Sequence, residues 1–216
     1  MGLSGHNGLF IYGSAPEAQW KKPTEATMAK VAFFTCVILR EARGHPQVQG
    51  FFDSIGRTFE TAEQSDGFID RSRRDPETRQ HSWGGWGHHP RFFREGEHAD
   101  DPKTLSVWKD LESVFAFAYV GVHATALRQR QEWLLKPAWP TYVAWWVPDD
   151  HTPDWHEAFE RHAHLYDHGP SPYAFDFAHP FGPDGHPMAL NRALVQAKMA
   201  RNAGRGQPAA QASPAH

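Results

Sequence analysis

The feature that most constrains the fold of this chain is a short apolar run at residues 31–39. Its residues are mostly β-branched or aromatic, which is typical of a buried strand. A membrane helix needs roughly 18 consecutive apolar residues, and no window of the sequence approaches that length. We therefore predict that residues 31–39 form a central sheet strand in a protein that does not enter a membrane.

The segments after this run alternate between helical and extended patterns. Apolar side chains recur every three or four residues from Val48 to Phe59, which predicts an amphipathic helix. Gly67 can adopt the left-handed conformation of the turn that would follow this helix. Further strands are predicted at 67–70, 104–108, 140–147 and 173–177. Further helices are predicted at 111–133 and at 188–203. Another helix is predicted to start at Pro153, with Thr152 as its N-terminal cap. The helix at 111–133 would be the longest in the chain.

This order of elements predicts an α+β fold of the ferredoxin-like, split βαβ type. Helices would cover one face of its sheet and leave the other face open. Aromatic side chains on the strand at 140–147 cannot stay exposed on such a face without association. We therefore expect a homodimer, in which the two sheets close against each other.

Composition changes along the chain predict a single domain with two extensions. Residues 1–27 form an N-terminal arm and residues 28–187 form the folded domain. Within the domain, residues 71–103 form a long polar loop rich in His and Trp. Residues 188–216 hold a surface helix, with Lys198 on its polar side, and a disordered tail.

Charge and cysteine content exclude several classes of function. The formal net charge of −3 does not provide the positive electrostatic potential that general nucleic-acid binding requires. The single Cys36 excludes an intrachain disulfide and a multi-cysteine metal site, and it fits a cytoplasmic protein. Cys36 also lies in a predicted buried strand, where a thiolate is disfavoured. The sequence lacks G-x-S-x-G, phosphate-loop and dinucleotide motifs, so a hydrolase, NTPase or dinucleotide enzyme is not favoured.

Several motifs carry a family resemblance. Residues 105–119 read LSVWKDLESVFAFAY, and they are followed by His123 and by RQRQEW at 128–133. Together with VAWWVP at 143–148 and HGPSPYAF at 168–175, they resemble a bacterial family of unknown function. The resemblance covers roughly residues 30–178. It implies the dimeric α/β-barrel superfamily, which also contains the antibiotic-biosynthesis monooxygenases.

The segment 107–123 is also similar to spheroidene monooxygenase, a haem-dependent carotenoid oxygenase. This similarity implies haem as a cofactor and His123 as the metal ligand. On a helical wheel, His123 lies at the edge of the apolar stripe, and Arg130 could pair with a haem propionate. The alternative is a histidine that bonds a backbone carbonyl at a helix edge. The expected cavity is aromatic and is lined by Phe115, Tyr119, Trp133, Trp145 and Phe175.

The remaining histidines and arginines suggest smaller sites, each with a structural alternative. Residues 81–89 could form an aromatic lid that supplies His88 or His89 as an acid/base group. Alternatively, Trp83 and Trp86 of this stretch simply pack on the domain or on a dimer mate. His164 and His168 share a helix face and could chelate a metal, but a solvated face is favoured. The basic run at 71–74 is expected to be a solvated loop.

These observations predict a haem-dependent oxygenase that acts on a small hydrophobic metabolite, with Tyr119, His88 and His89 as its catalytic residues. One alternative is a cofactor-free monooxygenase, isomerase or cyclase of the same superfamily, using general acid/base groups such as His123 and Tyr119. A second alternative is a carrier that holds a small molecule in the aromatic cavity without changing it.

Overall fold

The protein is a mixed α+β fold in a computed structural model that describes residues 29–86, 90, 92–93, 101–119 and 131–205. The strands are β1 Ala29–Cys36, β2 Ile38–Leu39, β3 Phe68–Arg71, β4 Lys103–Trp108, β5 Leu134–Leu135 and β6 Tyr142–Pro148. The helices are α1 Pro46–Gln64, α2 Leu111–Ala118, α3 Trp155–His168 and α4 Arg192–Arg205. None of the described helices is long and apolar enough to cross a membrane.

The main sheet has four antiparallel strands in the order β3-β4-β1-β6. β1 lies between two partners, so that Val31 faces Trp108 on one side and Trp146 on the other. The predicted central strand is therefore confirmed for β1, but it ends at Cys36, because Ile38–Leu39 pair in a different sheet. β2 and β5 form a separate two-stranded ribbon.

Helix α1 begins and ends where the sequence indicates. His45 caps it by accepting a hydrogen bond from the Gln47 backbone N–H, and Pro46 occupies the first turn, where its missing N–H costs nothing. The chain then turns at Gly67, whose φ is 82°. A Cβ atom there would lie only 2.0 Å from Ser113 Oγ, so the turn into β3 requires glycine for both conformation and space.

Helix α2 is shorter than predicted. It ends at Ala118, and Tyr119 is its C-cap, donating its backbone N–H to Phe115 O. The prediction of one continuous helix from 111 to 133 is therefore wrong at Tyr119. α1, with 19 residues, is the longest helix of the described part.

Two further boundaries differ from the prediction. Asp154 rather than Thr152 caps α3, because its carboxylate accepts the Glu157 backbone N–H at 2.7 Å. A regular strand at 173–177 is not formed. Phe175 pairs with Ala144 there through two backbone hydrogen bonds of 2.9 Å, and Ala174 bridges back to Ser171.

Both faces of the sheet are covered within the chain. The β1 side chains Ala32 and Phe34 face a core that α3 closes with Phe159, whereas Phe33 faces a second core that α2 closes with Leu111. Trp83, Trp86, Phe92, Trp139 and Tyr173 complete the α3 side. The predicted open face is therefore wrong, because α3 and the described residues of the 71–103 loop already bury it. The homodimer stays a prediction, but the exposed sheet face that motivated it is absent from the described fold.

Helix α4 is held on the α2 side of the sheet by ion pairs, one of which involves a buried lysine. Lys198 was expected on a solvated face, but it is 4% exposed. Its Nζ lies 3.1 Å from Asp110 and 3.5 Å from Asp66, and Arg201 also pairs with Asp66. Burial would raise the pKa of Asp66, but Arg201 and Lys198 hold it below its ordinary value. The prediction for Lys198 is corrected because its acidic partners lie far away in the sequence.

Candidate functional site

The aromatic residues predicted to line a haem cavity do not converge. The ring of Phe115 packs at a tilt against that of Tyr119 with centroids 4.4 Å apart, and Tyr119 is 50% exposed. Trp145 is fully buried on the α3 side of the sheet, where its indole N–H donates to Glu157 at 2.9 Å. Trp133 packs instead against Phe51 of α1. Alternation along β6 sends Trp145 away from the α2 side, so these residues do not form the expected cavity.

The remaining haem and acid/base candidates lie outside the described residues. These are His123, Arg130, His88 and His89, and their roles stay predictions. Within the described part of the chain, no group of three or more His, Cys, Asp or Glu side chains could hold a metal ion.

The histidines of α3 diverge in their surroundings. His156 is exposed, whereas His162 is fully buried. The rings of His164 and His168 lie 4.7 Å apart, and His164 Nε2 lies 3.1 Å from Ser171 Oγ. Burial is the main cause that lowers the pKa of His164. The pair shares one helix face, as the spacing predicts.

The buried side chains of Cys36 and His162 are close together but do not form a reactive thiolate–imidazolium pair. His162 Nε2 donates to Pro140 O at 2.5 Å, and Cys36 Sγ lies 4.0 Å from the same nitrogen. Burial raises the pKa of Cys36 to about 12 and lowers the pKa of His162 to about 4. Both groups are therefore neutral at pH 7, and proton transfer from the thiol to the imidazole is strongly unfavourable.

A different region, the loop of residues 72–86, is built as a tight hairpin. Arg74 and His81 face each other in an antiparallel bridge. The bridge is flanked by the Asp75 N–H, which donates to Gln80 O at 2.8 Å, and by the Ser82 N–H, which donates to Arg73 O at 2.9 Å. The Asp75 carboxylate accepts two further backbone N–H groups at the turn. These bonds fix Arg74 and His81 side by side.

This hairpin forms one wall of a cavity of about 560 Å³ that is about half open to solvent. The cavity is lined by two arginines, one glutamine, one histidine, two glycines and one tryptophan, namely Arg74, Arg79, Gln80, His81, Gly84, Gly85 and Trp86. Arg79 has a φ of 63°, a left-handed conformation that costs a non-glycine residue energy. We call this space the loop cavity.

Two neighbouring arginines of the same run are already paired. Arg71 contacts Glu63 at 2.8 Å, and Arg73 contacts both Glu63 and Asp70. Their predicted solvated, structural role is consistent with these surface ion pairs. In contrast, neither arginine of the loop cavity has a carboxylate partner among the described residues. The Nε of Arg74 donates to the backbone oxygen of Arg79 at 3.0 Å.

The side chain of His81 is positioned by ring contacts rather than by hydrogen bonds of its ring nitrogens. Its imidazole stacks on Trp86 at 5.3 Å and meets Trp155 edge-on at 4.9 Å. Trp155 is itself anchored because its indole N–H donates to Ser72 Oγ at 3.0 Å. Nδ1 of His81 is buried without a hydrogen-bond partner among the described residues. Burial first, and the charge of Arg74 second, lower the pKa of His81, so the ring is neutral at pH 7.

Sequence patterns did not single out this site. The His and Trp content of residues 81–89 predicts an acid/base role for His88 or His89 rather than for His81. The tryptophans of that stretch, Trp83 and Trp86, pack against the α3-side core, which supports the packing interpretation for both side chains. The length of the polar loop was the one signal that pointed to this region.

Comparison with protein families gives one match. Residues 30–191 match a family described as a domain of unknown function (DUF3291). The chain belongs to the DUF3291 family. The match spans the sheet, helices α1 to α3 and the loop cavity, and it confirms the predicted membership of a family of unknown function. Searches among curated proteins and among solved structures return no match.

Proposed function

We propose that this protein binds a small, planar organic anion in the loop cavity. The observation that carries this proposal is the composition of the cavity wall. Two guanidinium groups without carboxylate partners in the described structure line it together with a neutral imidazole and an indole ring. Cationic, flat and polar groups are thus combined in one concave surface.

The charge of the wall supports an anionic ligand. A guanidinium presents up to five N–H donors in a planar fork that fits a carboxylate. Arg74 uses its Nε on the backbone of Arg79, and no described carboxylate occupies its remaining donors. Both arginine side chains are exposed to solvent, so a small organic acid would replace water with a charged acceptor. An uncharged hydrophobic metabolite would leave both guanidinium groups without a counter-charge.

The size and shape of the wall support a flat ligand. A volume of about 560 Å³ lies within the range of ligand sites of roughly 300 to 1,000 Å³. The rings of His81 and Trp86 are rigid and provide apolar surface. Gly85 carries no Cβ, and nothing lies within 4 Å of where one would point, so a ring can approach the backbone closely.

The strand order supports a ferredoxin-like classification. The elements β1, α1, β3, β4, α2 and β6 follow one another as βαββαβ, and all neighbouring strands are antiparallel. In this proposal, α3 takes the place that a second sheet would occupy in a dimeric barrel. The haem-dependent oxygenase stays a prediction, because its iron ligand lies outside the described residues and the described aromatic residues do not form its pocket.

The proposal is tested by measuring binding of benzoate and of benzamide by isothermal titration calorimetry. Both probes are flat, but only benzoate carries a charge. We expect saturable binding of benzoate and binding of benzamide that is about tenfold weaker or absent, because charge-assisted hydrogen bonds are roughly twice as strong as neutral ones. Equal binding of the two probes, or no saturable binding of benzoate, would contradict the proposal.

Matched arginine variants locate the binding. The double variant Arg74→Gln/Arg79→Gln should weaken benzoate binding about tenfold, on the scale of one lost charged hydrogen bond. Arg73→Gln is the control, because Arg73 lies in the same loop but pairs with Glu63 and Asp70 outside the cavity. An equal loss in the control variant would place the anion elsewhere.

A further inference from the structure

Two histidines at the C-terminal end of α3 have no part in the proposed function. His164 and His168 lie four residues apart on one face of the helix, and His168 is its last residue. His164 is half-buried and His168 is exposed, so an ion in solvent can reach the pair. Paired histidines at this helical spacing are a common arrangement of metal ligands.

The separation of the two rings fits a shared metal ion. A histidine nitrogen binds Zn²⁺ at about 2.0 to 2.1 Å, and the ring centroid lies about 1.1 Å behind that nitrogen, so the ion lies about 3.2 Å from each centroid. Two such rings at a ligand angle of about 90 to 110° have centroids about 4.5 to 5.2 Å apart. The centroids of His164 and His168 lie 4.7 Å apart. The backbone of α3 therefore already holds the rings at the spacing of a chelate.

The residues that follow the helix hold His164 in place. Its Nε2 lies 3.1 Å from Ser171 Oγ, and its ring meets the ring of Tyr173 edge-on with centroids 4.8 Å apart. Two backbone hydrogen bonds between Ser171 and Ala174, of 2.9 and 3.1 Å, fix this turn. In metal sites, a polar partner on one ring nitrogen orients the histidine and leaves the other nitrogen for the ion.

The electrostatic surroundings favour a cation at this position. The helix dipole and the unpaired carbonyls of the last turn place partial negative charge at the C-terminal end of α3. The charges of Asp167 and Arg161 both act on His164, with opposite signs. Arg161 pairs with Glu157 at 2.9 Å, so its positive charge is offset. The dipole and Asp167 remain to attract a cation.

We propose that His164 and His168 form a two-histidine binding site for a divalent transition-metal ion, with Cu²⁺ bound most tightly. Imidazole nitrogen suits Cu²⁺, Ni²⁺ and Zn²⁺, whereas Mg²⁺ and Ca²⁺ prefer oxygen ligands. Affinity at nitrogen sites peaks at Cu²⁺ in this series. Two protein ligands leave the other coordination positions to water or to a further ligand. The site shares no residue with the loop cavity and does not depend on the proposed function.

The test measures binding of the Cu²⁺–iminodiacetate complex to the full-length protein by isothermal titration calorimetry. The chain has 15 histidines, so variants are needed to locate the binding. His164→Gln and His168→Gln should each weaken the tightest binding at least about tenfold, because the second bond of a chelate forms within one complex and single ligands lack that advantage. The double variant should lose little more than either single variant, since one substitution already removes the chelate.

A matched control and a second readout accompany this titration. His186→Gln removes an exposed loop histidine and should leave the affinity unchanged. Electron spin-echo spectra of the Cu²⁺ bound to the wild-type protein should show two coordinated imidazoles, and this readout needs no variant. Thermal unfolding of each variant without metal checks that it folds.

Each result has a defined consequence. A tenfold loss in both single variants, with two imidazoles on the wild-type copper, supports the site. An unchanged affinity in either single variant, an equal loss in His186→Gln, or a copper spectrum with fewer than two imidazoles would overturn it. Zn²⁺ binding no tighter than Mg²⁺ binding would also overturn it. Benzoate binding should be the same in His164→Gln and the wild-type protein, so failure of this site leaves the loop-cavity proposal standing.

Discussion

The surroundings of His81 and of His162 make an instructive comparison. In both rings, Nδ1 is buried without a partner among the described residues, and in both, burial is the main cause of a lowered pKa. His162 is enclosed by Phe34, Phe92 and Phe93, and its other nitrogen donates to Pro140 O. His81 instead borders a cavity with two arginines.

The difference shows what makes a buried histidine a candidate for function. Desolvation is common to both rings, so it does not distinguish them. The ring of His162 fills a core and offers no room for a ligand, whereas His81 combines rigidity with adjacent space and charge. We therefore expect substitutions of His162 to change stability and substitutions of His81 to change binding.

The largest effect is expected for His162→Ala. Removing a fully buried ring leaves a cavity and deprives Pro140 O of its donor, which should lower the free energy of unfolding by about 3 to 5 kcal/mol. His81→Ala removes a half-buried ring and should cost about 1 kcal/mol. Urea unfolding of both variants measures the difference. Equal losses of unfolding free energy in the two variants would contradict the distinction between His162 and His81.

A second expected effect is a loss of folding stability at acidic pH. The pKa of His162 is about 4 in the folded protein and 6.5 ordinarily, so below pH 6.5 the unfolded chain binds a proton that the folded chain does not. This linkage leaves stability unaffected above pH 6.5 and lowers it as the pH falls from 6.5 to 4, by roughly 3 kcal/mol in total.

His162→Phe isolates this effect because it keeps an aromatic ring and removes the titrating group. The free energy of unfolding of this variant, measured in urea at several pH values, should fall less steeply between pH 6.5 and 4 than that of the wild-type protein. His81→Phe should keep most of the wild-type slope. An unchanged slope in His162→Phe would show that His162 does not carry the acid sensitivity.

The smallest effect is expected for Arg79→Gly. Glycine relieves the left-handed backbone at φ 63° but adds freedom to the unfolded chain, so we expect a net gain of about 0.5 kcal/mol. Benzoate binding should weaken several-fold at the same time because one guanidinium is lost. Arg73→Gly, where no such strain exists, should lower stability. If Arg79→Gly lowers stability too, the backbone strain does not matter energetically.

Local patterns predicted the elements whose causes lie within a few residues. The β-branched run at 31–39 predicted the central strand that forms up to Cys36, and the apolar spacing from Val48 to Phe59 with the turn at Gly67 predicted α1. These features depend on backbone conformation, which neighbouring residues determine.

Features that depend on distant contacts were not predicted. Lys198 is buried because Asp66, 132 residues earlier, meets it across the fold. The docking of α3 on the second sheet face is likewise a tertiary contact that periodicity does not specify. The contact of Trp155 with the His81 ring joins α3 to the hairpin, and no local pattern indicates it.

The most direct test of the central claim is a crystal structure of the protein with 4-bromobenzoate, in which the anomalous signal of bromine marks the ligand. The account predicts one molecule in the loop cavity, with its carboxylate on Arg74 and Arg79 and its ring beside Trp86. Bromine density only outside this cavity, or a carboxylate that contacts neither arginine, would contradict the account.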